Sequence, residues 1–459
     1  MKKPELIGET LMPNRIVILG NNAAGSSVAS AARKTNRDAE IILIDKGKYP
    51  AYSRCGLPYV LAGEIPSFQD LIAFPLSFYN IMKIDLKLET LVTAIDSKEK
   101  TLTTKHDGEF ETIKYDTLVI ATGASTFIPP VEGYNKEGVY GLRTIEDGVQ
   151  IQKAMNKATS AVVIGAGFIG LEIAHALVQN DIKTTIVEML PLMLPSMFDV
   201  DMSKFIQKKI EDRGVRVLLG QKLKKIRGKE KVQEVLIGTK KLPADLVIMA
   251  TGVRANIDLA KQTGLTLGVG DRIIKVNSRM ETSIAGIYAA GDCVESRNFI
   301  TGLSCISQLG TTAVRQGKVA GINAAQGYSI LPGVLSSAVT RMFGFEVGAT
   351  GITELQAKMA GLETITGSLT STTKPHYFPG RKEIRVKIIA EKEFGTVIGS
   401  QIVGGEDVAQ RVNMTSLAVQ NRMTVIELAK ADTCYAPPVG ETWEPVALAS
   451  ELAVAKICR

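Results

Sequence analysis

The sequence predicts an α/β protein: two strand–turn–helix–strand units of one design, followed by a smaller α+β domain. Three observations predict it. A short β-rich run enters a glycine turn at residues 20–25, and the same grammar returns about 145 residues later at 165–170. Each unit closes on a strand that ends in an acid, Asp45 in the first and Glu188 in the second. After a Gly/Ser/Pro-rich break at 326–337 the texture changes to strands followed by helices.

The elements follow in order. Residues 1–14 carry two lysines but no apolar h-region, so they read as a short tail rather than a secretory signal. Arg15–Leu19 is a strand, a small-residue helix runs from 26 to about 34, and Glu40–Ile44 is the second strand. In the second unit the strand at 161–164 enters Gly165-Ala-Gly167-Phe-Ile-Gly170, with a helix to about Gln179 and a strand at 184–187. Residues 118–123 and 246–252 are near copies, each a buried strand running into Ala-Thr-Gly, and 286–292 is a strand ending in Gly291-Asp292. The expected division is 1–125 with 245–328 for the first unit, 126–244 for the second and 329–459 for the last. In that last domain, 385–389 and 396–398 read as strands and the Gly/Ser/Thr-rich 367–373 as a loop.

Composition excludes several classes. At 459 residues, 45% hydrophobic and 22% charged, the chain is an ordinary soluble globular enzyme of several domains. No stretch reaches 18 apolar residues without a charge, so no membrane span is expected. A net charge of +7 is mild for this length and calls for no nucleic-acid partner. The five cysteines (55, 293, 305, 434, 458) are odd in number and scattered, which fits neither a disulfide framework nor a metal site and points to a reducing cytoplasm.

The motifs carry the chemistry. Gly165, Gly167 and Gly170 permit the tight turn, the approach of a pyrophosphate to backbone N–H groups and close helix–strand packing. Glu188 can accept both ribose hydroxyls and would repel a 2′-phosphate, so NADH is favoured over NADPH. Phe168, Ile169 and Gly252 complete this candidate NAD site. The first motif is imperfect, with Asn22 in place of the middle glycine. Asp45 and the downstream Gly291-Asp292 nevertheless suit the hydroxyl-rich FAD. Its candidate contacts are Gly20, Ala24, Gly25, Asp45, Lys46, Ser53, Ala121, Thr122, Gly123, Gly291 and Asp292, the last of which is otherwise a helix N-cap. Cys55 lies ten residues beyond Asp45, and Pro50 and Val60 stand where a C-x-x-x-x-C partner would be. Arg54 and a helix N-terminus after Cys55 should lower the thiol pKa and make it nucleophilic; the alternative is a small buried hydrophobe. Of the three histidines, His106 and His175 read as structural.

These residues resemble the pyridine nucleotide–disulfide oxidoreductase superfamily, in particular its single-cysteine branch of coenzyme A-disulfide reductases, NADH oxidases and peroxidases, and persulfide reductases. The resemblance runs over essentially the whole chain and rests on Cys55-Gly-Leu-Pro-Tyr59, both Ala-Thr-Gly turns, the 165–170 turn, Ala290-Gly-Asp292, Tyr377-Phe-Pro-Gly380 and Tyr435-Ala-Pro-Pro438. It implies two Rossmann-like domains, a discontinuous one for FAD and an inserted one for NAD, plus a C-terminal dimerisation domain. It also implies a homodimer whose partner completes each site. Phe168 matches the aromatic that gates the nicotinamide, and Tyr377 and Tyr435 match a catalytic tyrosine pair beside Cys55. Cys434 and Cys458 are bystanders or second thiols. Two departures stand out. Ala23 occupies the place of the histidine of the oxidases and peroxidases, which counts against oxygen or peroxide as the main acceptor. Residues 55–82 lack the basic side chains expected of a coenzyme A site, and their apolar stretch at 71–82 suggests a less charged substrate or a docked protein.

Three functions follow. The first is an NADH-dependent reductase of a small disulfide, persulfide or polysulfide, possibly linked to coenzyme A. The second is an NADH oxidase. The third is a flavin module passing electrons to a partner redox protein.

Overall fold

The computed structural model describes residues 14–457. The expected tail at 1–13 and Cys458 lie outside the described residues. The first sheet has five parallel strands in the order Ile287–Ala289, Thr117–Ile120, Arg15–Leu19, Glu40–Ile44, Ile84–Lys87. The second repeats the arrangement with Leu246–Met249, Ser160–Ile164, Lys183–Val187 and Arg216–Leu218 in adjacent parallel positions, and Val139–Tyr140 at its edge. Strands buried on both faces explain the unbroken Val/Ile/Leu runs.

This pairing corrects one boundary. Leu246–Met249 hydrogen-bonds to Ser160–Ile164, inside the second sheet, so the chain returns to the first unit after Met249 and not at 245. The short antiparallel pair Ala124–Thr126 with Val253–Ala255 forms the double crossing between the units.

The first-motif helix spans Ala23–Thr35, three residues earlier than expected, because Asn22 caps it: its side-chain oxygen accepts the Ala23 N–H at 2.8 Å. That helix packs against Gly310–Ala324 at very short range. A Cβ on Gly317 would stand 2.4 Å from the Ala24 carbonyl oxygen, so only glycine allows the approach.

The C-terminal domain is a five-stranded antiparallel sheet ordered Ala338–Met342, Phe345–Gly351, Val397–Gly404, Glu383–Glu391, Thr364–Thr372, with the helix Pro445–Ile457 against its outer strands. Residues 367–372 are therefore strand and not loop. Gly367 is there because the helix crosses directly above it: a Cβ would meet the Ala449 carbonyl oxygen at 1.7 Å. A buried lysine, Lys387, ties this sheet to the second unit through Asp199 (3.3 Å) and Asp201 (2.8 Å) and to Glu354 of its own domain. No helix among the described residues is long and apolar enough to cross a membrane.

Candidate active site

Both glycine turns place backbone N–H groups at a helix N-terminus, facing outward at the carboxyl end of a sheet. Gly20 (φ +104°) and Gly165 (φ +112°) hold corresponding places. A Cβ would strike the Ala121 carbonyl oxygen at 2.3 Å in the first and the Ala250 carbonyl oxygen at 2.2 Å in the second. Thus the two Ala-Thr-Gly turns buttress the two cradles.

In the second cradle Gly170 packs under the Gly165 carbonyl, whereas the space above Gly167 is open, as the approach of a phosphate requires. Ile169 is exposed beside it. Gly252 (φ +97°) is equally unobstructed. Glu188 is fixed at the strand end by accepting the Ala166 N–H at 2.9 Å and the Leu190 N–H at 2.8 Å.

In the first cradle Asp45 accepts the N–H groups of Asn21 and Gly47. Ala24 lies against Gly291, whose N–H donates to Gln316 at 2.9 Å. Thr122 and Gly123 are tied to Asn256 by three hydrogen bonds. Lys46 and Ser53 are exposed at the rim. The Asn21 amide is buried; its oxygen accepts from Ser26 and Tyr79, and its nitrogen has no partner among the described residues. An orphaned donor beside a helix N-terminus suits an anionic ligand. Both cradles fit their dinucleotides, FAD at the first and NADH at the second.

Asn22, at the position of the missing glycine, turns its amide aside to donate to the Tyr52 carbonyl at 3.1 Å. It thereby anchors the loop that carries Cys55. In the apolar stretch at 71–82, expected as a docking surface, Tyr79 is fully buried against Asn21 and half-buried Phe74 and Phe78 stack at 4.5 Å, whereas Leu76 and Ile81 are exposed.

Cys55 lies in a single 3₁₀ turn, Arg54–Gly56, that leads into the helix Leu57–Leu61. This helix packs on the second-cradle helix Phe168–Gln179, and Phe168 packs against the same core cluster as Leu57 and Leu61. The redox cysteine candidate and the nicotinamide cradle are thus neighbours. Solvent reaches the Cys55 side chain in the single protomer, yet enough protein surrounds it that desolvation pushes the thiol up, contrary to the expected lowering. Glu172 adds to the rise; Arg143, and more weakly Arg54, oppose it.

Neither Arg143 nor Glu172 was found by sequence reasoning. Arg143 pairs with Asp292 at 2.6 Å, so Asp292 is not a helix N-cap; the next helix begins at Gly310. Nothing in the sequence marks Arg143, whereas Glu172 is four residues past Phe168 and hence on its helix face.

Tyr377 and Tyr435 come together as expected, their hydroxyl oxygens 2.6 Å apart. The pair is exposed on the C-terminal domain, and no hydrogen bond among the described residues joins it to Cys55 of the same chain. The hydrogen bond with Tyr435 raises the Tyr377 pKa.

Comparison with known proteins identifies the family. Residues 14–317 match the family model for pyridine nucleotide-disulphide oxidoreductases, and 337–447 match that family's dimerisation domain. The chain is 45% identical to a protein of Methanocaldococcus jannaschii named NADH oxidase, over 96% of this chain and 99% of that one. It is 32% identical to the NAD(P)H coenzyme A polysulfide/persulfide reductase of Pyrococcus horikoshii, over 95% and 97%. A solved NAD-dependent persulfide reductase from A. fulgidus is 37% identical and superposes with a TM-score of 0.93, covering 96% of this chain and 83% of that one. Two dinucleotide cradles around a lone cysteine, with a dimerisation domain behind them, place this chain in the pyridine nucleotide-disulphide oxidoreductase family.

Proposed function

We propose that the protein is an NADH-dependent flavoprotein that reduces a sulfur–sulfur bond, in a disulfide, persulfide or polysulfide, through Cys55 in a homodimer. The observation that carries this reading is the placement of Cys55: one thiol on the turn whose helix packs on the nicotinamide-cradle helix, with no second cysteine in its loop. The names of the Pyrococcus and A. fulgidus relatives support the substrate class.

FAD, when bound, supplies a two-electron relay between the nicotinamide and the Cys55–sulfur bond. The Cys55 thiolate attacks one sulfur of the substrate, forming a mixed disulfide and releasing the other sulfur as a thiolate or hydrosulfide. Arg143 and Arg54 are the cations that favour this thiolate against the cost of burial. The Tyr377–Tyr435 pair holds a proton for the leaving sulfur, since its internal hydrogen bond keeps Tyr377 protonated. In this reading the pair is supplied by the second protomer, which also shields Cys55 from water. Glu188 sets the preference for NADH. In this reading FAD is held by residues up to 125 and from about 250 to 328, NADH by the segment between, and the dimer contact by 329–459.

A second reading, with oxygen as terminal acceptor, is favoured by the name of the Methanocaldococcus relative. The deciding experiment is anaerobic stopped-flow reduction by NADH of wild type and Cys55→Ser, followed by coenzyme A disulfide, a persulfide, a polysulfide or oxygen. The mutant should accept hydride normally and lose turnover with the sulfur acceptor by at least about 100-fold. Undiminished transfer from the mutant to every active acceptor would sink the reading in favour of a relay to oxygen or to a redox protein.

A further inference from the structure

One half-buried acid that acts on the Cys55 thiol has no part in this scheme. Glu172 lies on the helix Phe168–Gln179, and its carboxyl oxygen accepts a 2.6 Å hydrogen bond from the hydroxyl of Thr340, on the C-terminal strand Ala338–Met342. The Thr340 oxygen is 3.0 Å from the hydroxyl of Tyr59, on the helix that directly follows Cys55. The Tyr59 hydroxyl also reaches the Arg341 carbonyl at 3.3 Å. Three segments distant in sequence thus meet in one row of hydroxyls that ends in a carboxyl group.

The row has two complete proton arrangements. With Glu172 ionised, Thr340 donates to the carboxylate and Tyr59 donates to Thr340. With Glu172 protonated, its O–H donates to Thr340, Thr340 to Tyr59, and Tyr59 to the Arg341 carbonyl. Every hydroxyl proton is used in both. No cation among the described residues forces the choice: burial and the Thr340 hydrogen bond are what act on Glu172. Arg341 pairs with Glu64, and Glu64 also pairs with His175 on Glu172's own helix at 3.0 Å. On the Cys55 side Arg143 pairs with Asp292, and Arg54 acts on the thiol more weakly. Burial pushes the Glu172 carboxyl up to about 7, the Thr340 hydrogen bond pulling the other way. After desolvation, Glu172 is the largest influence holding the Cys55 thiol up.

We propose that Glu172 is a tuning residue for Cys55, whose protonation switches the thiol between two reactivities and ties them to the C-terminal domain through Thr340 and Tyr59. The two groups then carry one negative charge more readily than two. A neutral Glu172 lets the thiolate form, and an ionised one suppresses it. The inference rests on Cys55 as the reacting sulfur.

The test needs neither NADH nor a sulfur acceptor, so its outcome is separable from that of the reductase reading. FAD-loaded protein is alkylated with iodoacetamide from about pH 5.5 to 9.5, and the rate at Cys55 is read from the mass of its peptide. Wild type should rise with pH more shallowly than a single titration. Glu172→Gln should follow a single titration, matching wild type near pH 6 and exceeding it by about three- to ten-fold above pH 8. Thr340→Val keeps the carboxyl but removes its donor, and should move the break to higher pH. Superimposable profiles for wild type and Glu172→Gln would overturn the proposal, as would an unmoved break in Thr340→Val or a Cys55 inert in every variant.

Discussion

At Glu188 both carboxylate oxygens are engaged by backbone N–H groups, which fixes a negative charge where, in the proposed function, the ribose edge of the nucleotide arrives. Glu188→Gln should therefore raise kcat/KM for NADPH relative to NADH by about ten-fold, since it removes repulsion and keeps the acceptor toward Ala166. Steady-state kinetics with both nucleotides checks this, and an unchanged ratio would mean that selectivity lies elsewhere. Glu172 gives a second residue-scale expectation, on stability. Its pKa in the fold is raised from 4.5 to about 7, so the folded chain binds its proton more tightly than the unfolded chain does. That contribution is fully present below pH 4.5 and is lost as pH rises through about 7. The size is on the order of 3 kcal/mol. Glu172→Gln, neutral throughout, should melt higher than wild type at pH 8, with the gap closing by pH 5. A gap independent of pH would refute the assignment of the shift to burial.

At the scale of elements, the fold was largely legible wherever hydrophobic periodicity and glycine turns coincide. Both sheets, both cradles and the order of the units follow from strands whose two faces are buried and from turns that only glycine can make. Legibility failed where a side chain is replaced by an approach. Residues 367–372 look like a loop because their glycine, serines and threonines lack bulk, yet lack of bulk is what lets Pro445–Ile457 cross above Gly367. The strand 246–249 was given to the wrong unit because buried parallel strands of either sheet have the same composition. At the site, Cys55, the cradles and the tyrosine pair were visible as motifs; Arg143 and Thr340 were not, because their partners are distant in sequence and only folding brings them near. The closest helix crossing yields a prediction of its own. Gly317→Val would drive the Gly310–Ala324 helix off Ala24, whose backbone belongs to the first cradle. The expected cost is about 1–3 kcal/mol together with measurable FAD loss on dilution. Val319→Ala, also buried in that helix, should lose stability but retain FAD. Equal FAD retention by the two variants would show that the crossing does not shape the cradle.

At the scale of the whole molecule, one chain holds both cradles and Cys55, while its tyrosine pair is exposed and joined to Cys55 by no hydrogen bond among the described residues. Tyr435 shares its surface loop with exposed Val439 and Trp443, and Trp443 alone is 65% exposed in the single protomer. Apolar side chains of this size left in water, on a domain that matches a dimerisation model, are the surface a second copy would cover. The two halves of the reaction then depend differently on assembly. In the proposed function, hydride transfer needs only what one chain carries, whereas sulfur reduction needs the proton-holding pair from the other protomer. Trp443→Asp should place a charge in that contact and shift the protein toward monomer in sedimentation velocity. The monomer should keep its rate of flavin reduction by NADH and lose turnover with the sulfur acceptor in proportion to the monomer fraction. Raising the protein concentration should restore turnover by mass action. If a demonstrably monomeric Trp443→Asp protein reduces the acceptor at the wild-type rate, the tyrosines are not donated across the interface, and the proton for the leaving sulfur comes from within the chain.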